Sequence, residues 1–247
     1  MAPAGDARRR SRLRPGPALA VLGAVALLVG LGTWQLQRLG EKQALIAELA
    51  ARTGRAPAPL PAAIADPAAL EYTPVRLRGH FLHDRELYLA ARLHRGEAGV
   101  DVITPFVLAD GRTVLVDRGW VPDGRRAPET RAAGQIAGEV TVEGQVRIGG
   151  WKGYDLFRPA NRPAANEWLW MDLPAMAAHA GVDGAVTALY IVAGPGESPG
   201  GLPIGGARPV EVRNDHLGYA LTWYALAAVL LAIVALHLFR RPREEEE

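Results

Sequence analysis

Charged positions vanish from the chain in two places. Residues 15–37 and 217–239 contain no Asp, Glu, Lys or Arg, and each run exceeds the roughly 20 residues with which a helix crosses about 30 Å of hydrocarbon. Both runs predict transmembrane helices. A cleavable signal peptide is the competing reading of the first, but its apolar stretch, residues 18–31, leads into Trp34-Gln35-Leu36-Gln37-Arg38, which lacks the small residues of a cleavage site. It is therefore expected to stay as an anchor. Helical propensity continues through residues 41–51, with Leu45, Ile46 and Leu49 apolar, until Pro57, Pro59, Pro61 and Pro67 force an extended stretch.

From Tyr72 the apolar period changes to two. Strands are expected over residues 73–81, 86–91, 100–108, 113–121, 140–148, 168–172 and 188–192, with a short helix over 174–180 that has proline at its start. Asp110-Gly111 between two of these runs signals a hairpin turn. Gly and Pro crowd residues 194–209 and end the domain. The expected organisation is a basic N-terminus (1–14), a first span (15–37), a helix extension and Pro-rich linker (38–70), a β-rich domain (71–193), a Gly/Pro-rich linker (194–213), a second span (214–239) and a tail (240–247). The fold class is a membrane protein in which two transmembrane α-helices flank one mostly antiparallel β (α+β) domain.

Cations set an orientation. Arg8, Arg9, Arg10, Arg12 and Arg14 precede the first span, and Arg240, Arg241 and Arg243 follow the second, which places both termini in the cytoplasm and the central domain in a periplasm. The chain has no cysteine, so the exported domain is held by its core without disulfides or thiolate metal sites. A net charge of +2 gives no reason to expect nucleic acid, whereas the arginine-rich start suits anionic lipid headgroups.

The segment Asn214-Asp215-His216-Leu217-Gly218-Tyr219-Ala220-Leu221-Thr222-Trp223-Tyr224 opens the second span with polar and aromatic residues. On a helix His216, Tyr219, Ala220 and Trp223 share a face. Such residues anchor helix ends among headgroups, and an imidazole there could equally ligate haem iron while the helix offers apolar surface to the macrocycle. At matching depth on the first helix, Leu31, Trp34, Gln35 and Arg38 share a face. Arg38 could snorkel to headgroups or bind a carboxylate such as a haem propionate in a bidentate contact.

Other chemistry is sparse. His80 and His83, three apart on an expected strand, would point to opposite faces and make a poor metal pair. Asp117-Arg118 is expected to form a local ion pair. Trp168 and Trp170 read as an aromatic pair on one strand face. No nucleophile elbow, phosphate loop or H-E-x-x-H motif is present, so the chain reads as a non-enzyme.

Several segments occur together in an order that resembles the Surfeit locus protein 1 family of cytochrome c oxidase assembly factors. They are Leu31-Gly32-Thr33-Trp34-Gln35-Leu36-Gln37-Arg38; Arg78-Gly79-His80-Phe81 followed by Glu86; Thr104-Pro105-Phe106; and Val114-Leu115-Val116-Asp117-Arg118-Gly119-Trp120-Val121-Pro122. Next come Asn161 and Asn166 ahead of Trp168-Leu169-Trp170-Met171-Asp172, then Pro203-Ile204-Gly205-Gly206, then the segment from Asn214 to Tyr224. Asp117 stands where the family pattern suggests Asn. The resemblance implies a bacterial inner-membrane chaperone for oxidase subunit I that binds or hands over haem a, with the second-helix histidine, here His216, as the iron contact. Haem a synthase is a further candidate partner. On helical spacing, Tyr219 and Trp223 would pack beside the ring, with Trp34 and Arg38 on the facing helix and Arg38 toward a propionate. The alternative is a membrane-tethered scaffold that steadies subunit I without haem, docking through Trp168, Trp170 and the Asp110-Gly111 hairpin tip.

Overall fold

A computed structural model of the chain describes residues 15–196, 198–206 and 214–239. The expected basic N-terminus, the end of the Gly/Pro linker (207–213) and the tail (240–247) lie outside these residues. The helices are α1 (Pro15–Thr53), α2 (Leu173–His179) and α3 (His216–Phe239). Two compact units divide the chain: Met1–Ala47 with Glu211–Glu247, and Glu48–Val210.

In the first unit, α1 and α3 are long and apolar enough to cross a membrane. The 39 residues of α1 correspond to about 58 Å of helix at 1.5 Å per residue, nearly twice the hydrocarbon thickness. Expected breakage near residue 51 falls at Thr53: the Gly54 N–H closes the last turn on the Ala50 carbonyl at 2.9 Å, and Pro57 follows.

The second unit is built on β1 (Ala58–Pro59), β2 (Pro74–Phe81), β3 (Leu87–His94), β4 (Glu97–Leu108), β5 (Thr113–Pro122), β6 (Val140–Arg147), β7 (Glu167–Trp168) and β8 (Val186–Ala193). β2 pairs with β6 along most of its length and with β4 at its end, so β2, β6, β8, β5 and β4 close into a five-stranded ring. The sheet is mixed: β1–β2, β3–β7 and β5–β8 are parallel. The mostly antiparallel expectation fails at these pairs because period-two alternation reports which face is buried and carries no strand direction.

Consecutive residues of β5 serve two cores. Val114 and Val116 join Leu77, Phe106, Val146, Leu189 and Ile191 in one cluster. Leu115 faces the other way with Ile103, against Trp168, Leu173 and Met176. Burying such a side chain stabilises the fold by about 1.5–3 kcal/mol. The segment around Ile204 then zips against β5: Trp120 and Ile204 exchange backbone hydrogen bonds of 3.0 and 2.8 Å. Gly119, at φ +117°, permits this approach, since a Cβ there would lie 2.0 Å from the Ile204 carbonyl oxygen.

A buried charge cluster locks β5 to its surroundings. Arg118 donates to Glu86 Oε1 at 3.1 Å, to His83 Nδ1 at 3.2 Å and to the Gly134 carbonyl, while Arg131 donates to both oxygens of the same carboxylate. The expected local Asp117-Arg118 ion pair is thus replaced by one between residues 32 positions apart. His83 sits on a 3-10 turn after β2 (His83–Arg85), off the strand on which it was expected. Burial pushes the Glu86 carboxyl up, but His83 and the Arg131 and Arg118 charges outweigh it and hold the group below its usual range.

The strand expected over 168–172 stops after Trp168 because the side chain of Asn161 takes over. Its Oδ1 accepts from the N–H groups of Leu169 at 2.7 Å and Trp170 at 3.3 Å. Trp168 is fully buried with its indole N–H on Asn166 Oδ1, and half-buried Trp170 donates to the Pro159 carbonyl. The two tryptophans therefore do not share an open strand face.

Candidate functional site

In the helix pair, intermediate or low exposure recurs on α1 at Val21, Val25, Leu28, Gly32, Gln35 and Leu39, and on α3 at His216, Ala220, Trp223, Ala227, Leu230 and Val234. Steps of three and four are the mark of helices that face one another along a seam. Gly32 and Ala220 are small and buried, and a Cβ on Gly32 would lie 2.9 Å from the Tyr224 ring. Small residues at such a crossing let backbones approach closely where no water drives association. Thr33 Oγ1 and the Tyr224 hydroxyl add a hydrogen bond of 3.1 Å between the helices.

One polar pair completes the seam. His216 Nδ1 lies 2.7 Å from Gln35 Oε1. An amide carbonyl oxygen only accepts, so Nδ1 is the donor, and the neutral imidazole in this arrangement has its lone pair on Nε2. Buried polar groups are costly without partners, and this pair satisfies each member while fixing the imidazole tautomer.

The expected site residues separate around that pair. Of the α1 face, Leu31 and Gln35 turn toward low exposure, whereas Trp34 is 50 % exposed and Arg38 is exposed and bonded to Glu41 at 2.6 Å. On α3, His216 and Trp223 are part-buried, and Tyr219 is 58 % exposed. Trp34 and Tyr219 thus present open aromatic surface on helices whose inner faces meet. Gln35 was visible in the sequence as a face-mate of Arg38, but its role depends on a partner 181 residues away, which no local signal discloses. Tyr224, one step off the expected His216 face, is the second residue missed.

Of the docking features expected of a scaffold, the two tryptophans are engaged within the domain, whereas Asp110 and Gly111 at the hairpin tip are exposed. Trp168 has no exposed surface. At the hairpin tip, Arg112 bonds Asp110 Oδ2 at 2.7 Å and the Pro61 carbonyl at 2.7 Å, pinning the chain that follows β1.

Residues 22–228 match the model of the SURF1 family. A SURF1-like protein of Monosiga brevicollis is 41% identical over 244 residues, covering 94% of this chain and 92% of the relative. Surfeit locus protein 1 of Mus musculus is 44% identical over 218 residues, covering 82% of this chain and 69% of the relative. The Homo sapiens protein of the same name is 42% identical over 215 residues, covering 81% and 70%.

Proposed function

The chain belongs to the SURF1 family, and from that premise we propose that it is an assembly factor for haem-copper cytochrome c oxidase that receives haem a at its paired helices and passes it to subunit I. In this reading the protein lies in a bacterial inner membrane with both termini cytoplasmic and the β domain periplasmic, as the arginines flanking the two spans favour. Haem a is cargo, and haem a synthase is a candidate donor.

The observation that carries the reading is the His216–Gln35 hydrogen bond. Haem iron takes the lone pair of a neutral imidazole, and ligating histidines characteristically donate their other N–H to an oxygen acceptor that sets ring orientation. Gln35 supplies that acceptor, leaving Nε2 for the iron. Trp34, Tyr219 and Trp223 offer aromatic faces for the macrocycle. Arg38 is held by an exposed pair with Glu41, a contact worth about 0–1 kcal/mol, so exchanging it for a propionate costs little. A neutral ligand with one hydrogen-bonded partner suits cargo that must be released.

Titrating haem into the full chain in nanodiscs tests this reading. Gln35→Leu removes the acceptor and is expected to weaken binding about 10–100-fold, as loss of an outer-shell partner does. Gln35→Glu keeps an acceptor and retains binding. Equal affinity of all three proteins would remove the role of this pair. Loss of binding in Trp223→Ala and Arg38→Ala would place those side chains at the cargo, and unchanged binding would remove them.

A further inference from the structure

The β domain carries an apolar finger that the haem-handling reading does not use. Tyr154 is 83 % exposed, Leu156 87 % and Phe157 74 %. Elsewhere in the domain the exposed large apolar side chains are Leu93 and Ile136 among the described residues, each isolated in sequence, so exposure of this kind is concentrated at one tip.

The finger is built rather than loose. The Trp151 indole N–H donates to the Tyr154 carbonyl at 3.0 Å, closing the turn. Gly153 lets the indole lie against the backbone, since a Cβ there would be 2.7 Å from Trp151 Cζ2. A 3-10 turn (Asp155–Phe157) follows, with Phe157 N–H on the Tyr154 carbonyl at 3.0 Å and Arg158 N–H on the Asp155 carbonyl at 3.1 Å. Arg158 pairs with Asp155 at 3.4 Å, which balances the acidic group at the tip, and its guanidinium sits over the Trp170 ring. Lys152 flanks the other side, 65 % exposed and 3.8 Å from Glu71.

Exposed Tyr, Leu and Phe on a turn fixed by a part-buried Trp, bracketed by Lys and Arg, is the composition of a segment that enters the headgroup and acyl boundary of a bilayer without spanning it. The domain that bears it is joined at both ends to helices long and apolar enough to cross a membrane, so a bilayer is within reach at high effective concentration. We propose that residues 151–158 form a third, interfacial membrane contact, in which Tyr154, Leu156 and Phe157 insert among lipid headgroups while Lys152 and Arg158 remain at the phosphate level. Two tethers alone do not set the rotation of a domain over the membrane, and this contact would set it.

The chain has no cysteine, so Leu156→Cys creates a unique thiol for an environment-sensitive fluorophore, and Leu93→Cys, 70 % exposed on β3, is the control. Both full-length proteins are placed in nanodiscs of phosphatidylcholine and phosphatidylglycerol, with thermal unfolding of each confirming the native fold. The proposal expects a blue-shifted probe at residue 156, quenched several-fold more by nitroxide-labelled lipid than the probe at 93 and less by aqueous iodide. Iodide quenching equal to that at 93, without lipid quenching, would overturn it. Protection from both quenchers would also overturn it and assign the finger to a protein surface.

Discussion

Replacing Glu86 by Gln should destabilise the β domain more than any loss of a surface ion pair. The Glu86 side chain is 2 % exposed and sits between guanidinium groups of Arg118 and Arg131 that are 5 % and 1 % exposed. Four N–H donors converge on its two oxygens: Arg118 at 3.1 Å, Arg131 at 3.2 Å and in a second, shorter contact, and the Gln135 amide at 3.4 Å. Removing the charge leaves two buried cations facing one another, and breaking a buried pair in this way costs about 3–5 kcal/mol. For a chain of this size about 2–4 °C of melting temperature accompanies each kcal/mol, so a fall of about 6–20 °C is expected. Glu143→Gln, which loses an exposed pair with Arg76 at 2.8 Å, should cost about 0.2–1 kcal/mol and serves as the reference. The assay is thermal unfolding of the full chain in nanodiscs, followed by fluorescence of the tryptophans, among them the buried Trp168. A depressed carboxyl in the folded state means that the unfolded chain binds the proton first. Its stabilising contribution is therefore present above about pH 4.5, the group's ordinary value, and is lost as pH falls from there through the folded value. Glu86→Gln should lack this part of the acid destabilisation. A melting temperature equal to that of Glu143→Gln, or an unchanged acid limb, would refute the reasoning.

Two further substitutions probe other parts of the account. Gly119→Ala forces a Cβ toward the Ile204 carbonyl oxygen at a backbone angle that side chains rarely adopt; it should unzip the Trp120–Ile204 contact, and faster amide hydrogen exchange at Trp120 and Ile204 than in the parent chain would report it. Gly32→Leu places a bulky side chain where even a Cβ is 2.9 Å from the Tyr224 ring; haem retained per chain through gel filtration should fall, while the unfolding midpoint of the β domain stays at that of the parent chain.

What the sequence discloses here follows from the range of each signal. Uncharged runs reveal α1 and α3 because a bilayer demands some 20 consecutive apolar residues. Alternation reveals most of β2, β5 and β6, and Asp110-Gly111 marks the turn between β4 and β5. The parallel β5–β8 pairing is silent, since both strands alternate identically whichever way they run. Ring closure depends on β4 being long enough to serve β3, β5 and β2, a property of registers rather than of composition. The end of the Trp168 strand was missed because one side chain, Asn161, captures two backbone donors eight and nine residues downstream. Glu86 and Arg118 looked like ordinary charges because burial is absent from sequence. In the helix pair, spacing correctly grouped His216 with Ala220 and Trp223, yet the direction of each face depends on where Gly32 lets the helices meet. That crossing turns Gln35 inward and leaves Trp34 and Arg38 outside.

Whether this SURF1-family chain holds haem a through His216 is decided by the optical spectrum of the full chain purified from cells that make haem a, beside that of His216→Ala. Haem a should accompany the natural chain and be lost or spectrally shifted on substitution. If neither protein carries haem while oxidase assembly still depends on the chain, haem handling at His216 is contradicted and the membrane-tethered scaffold takes its place.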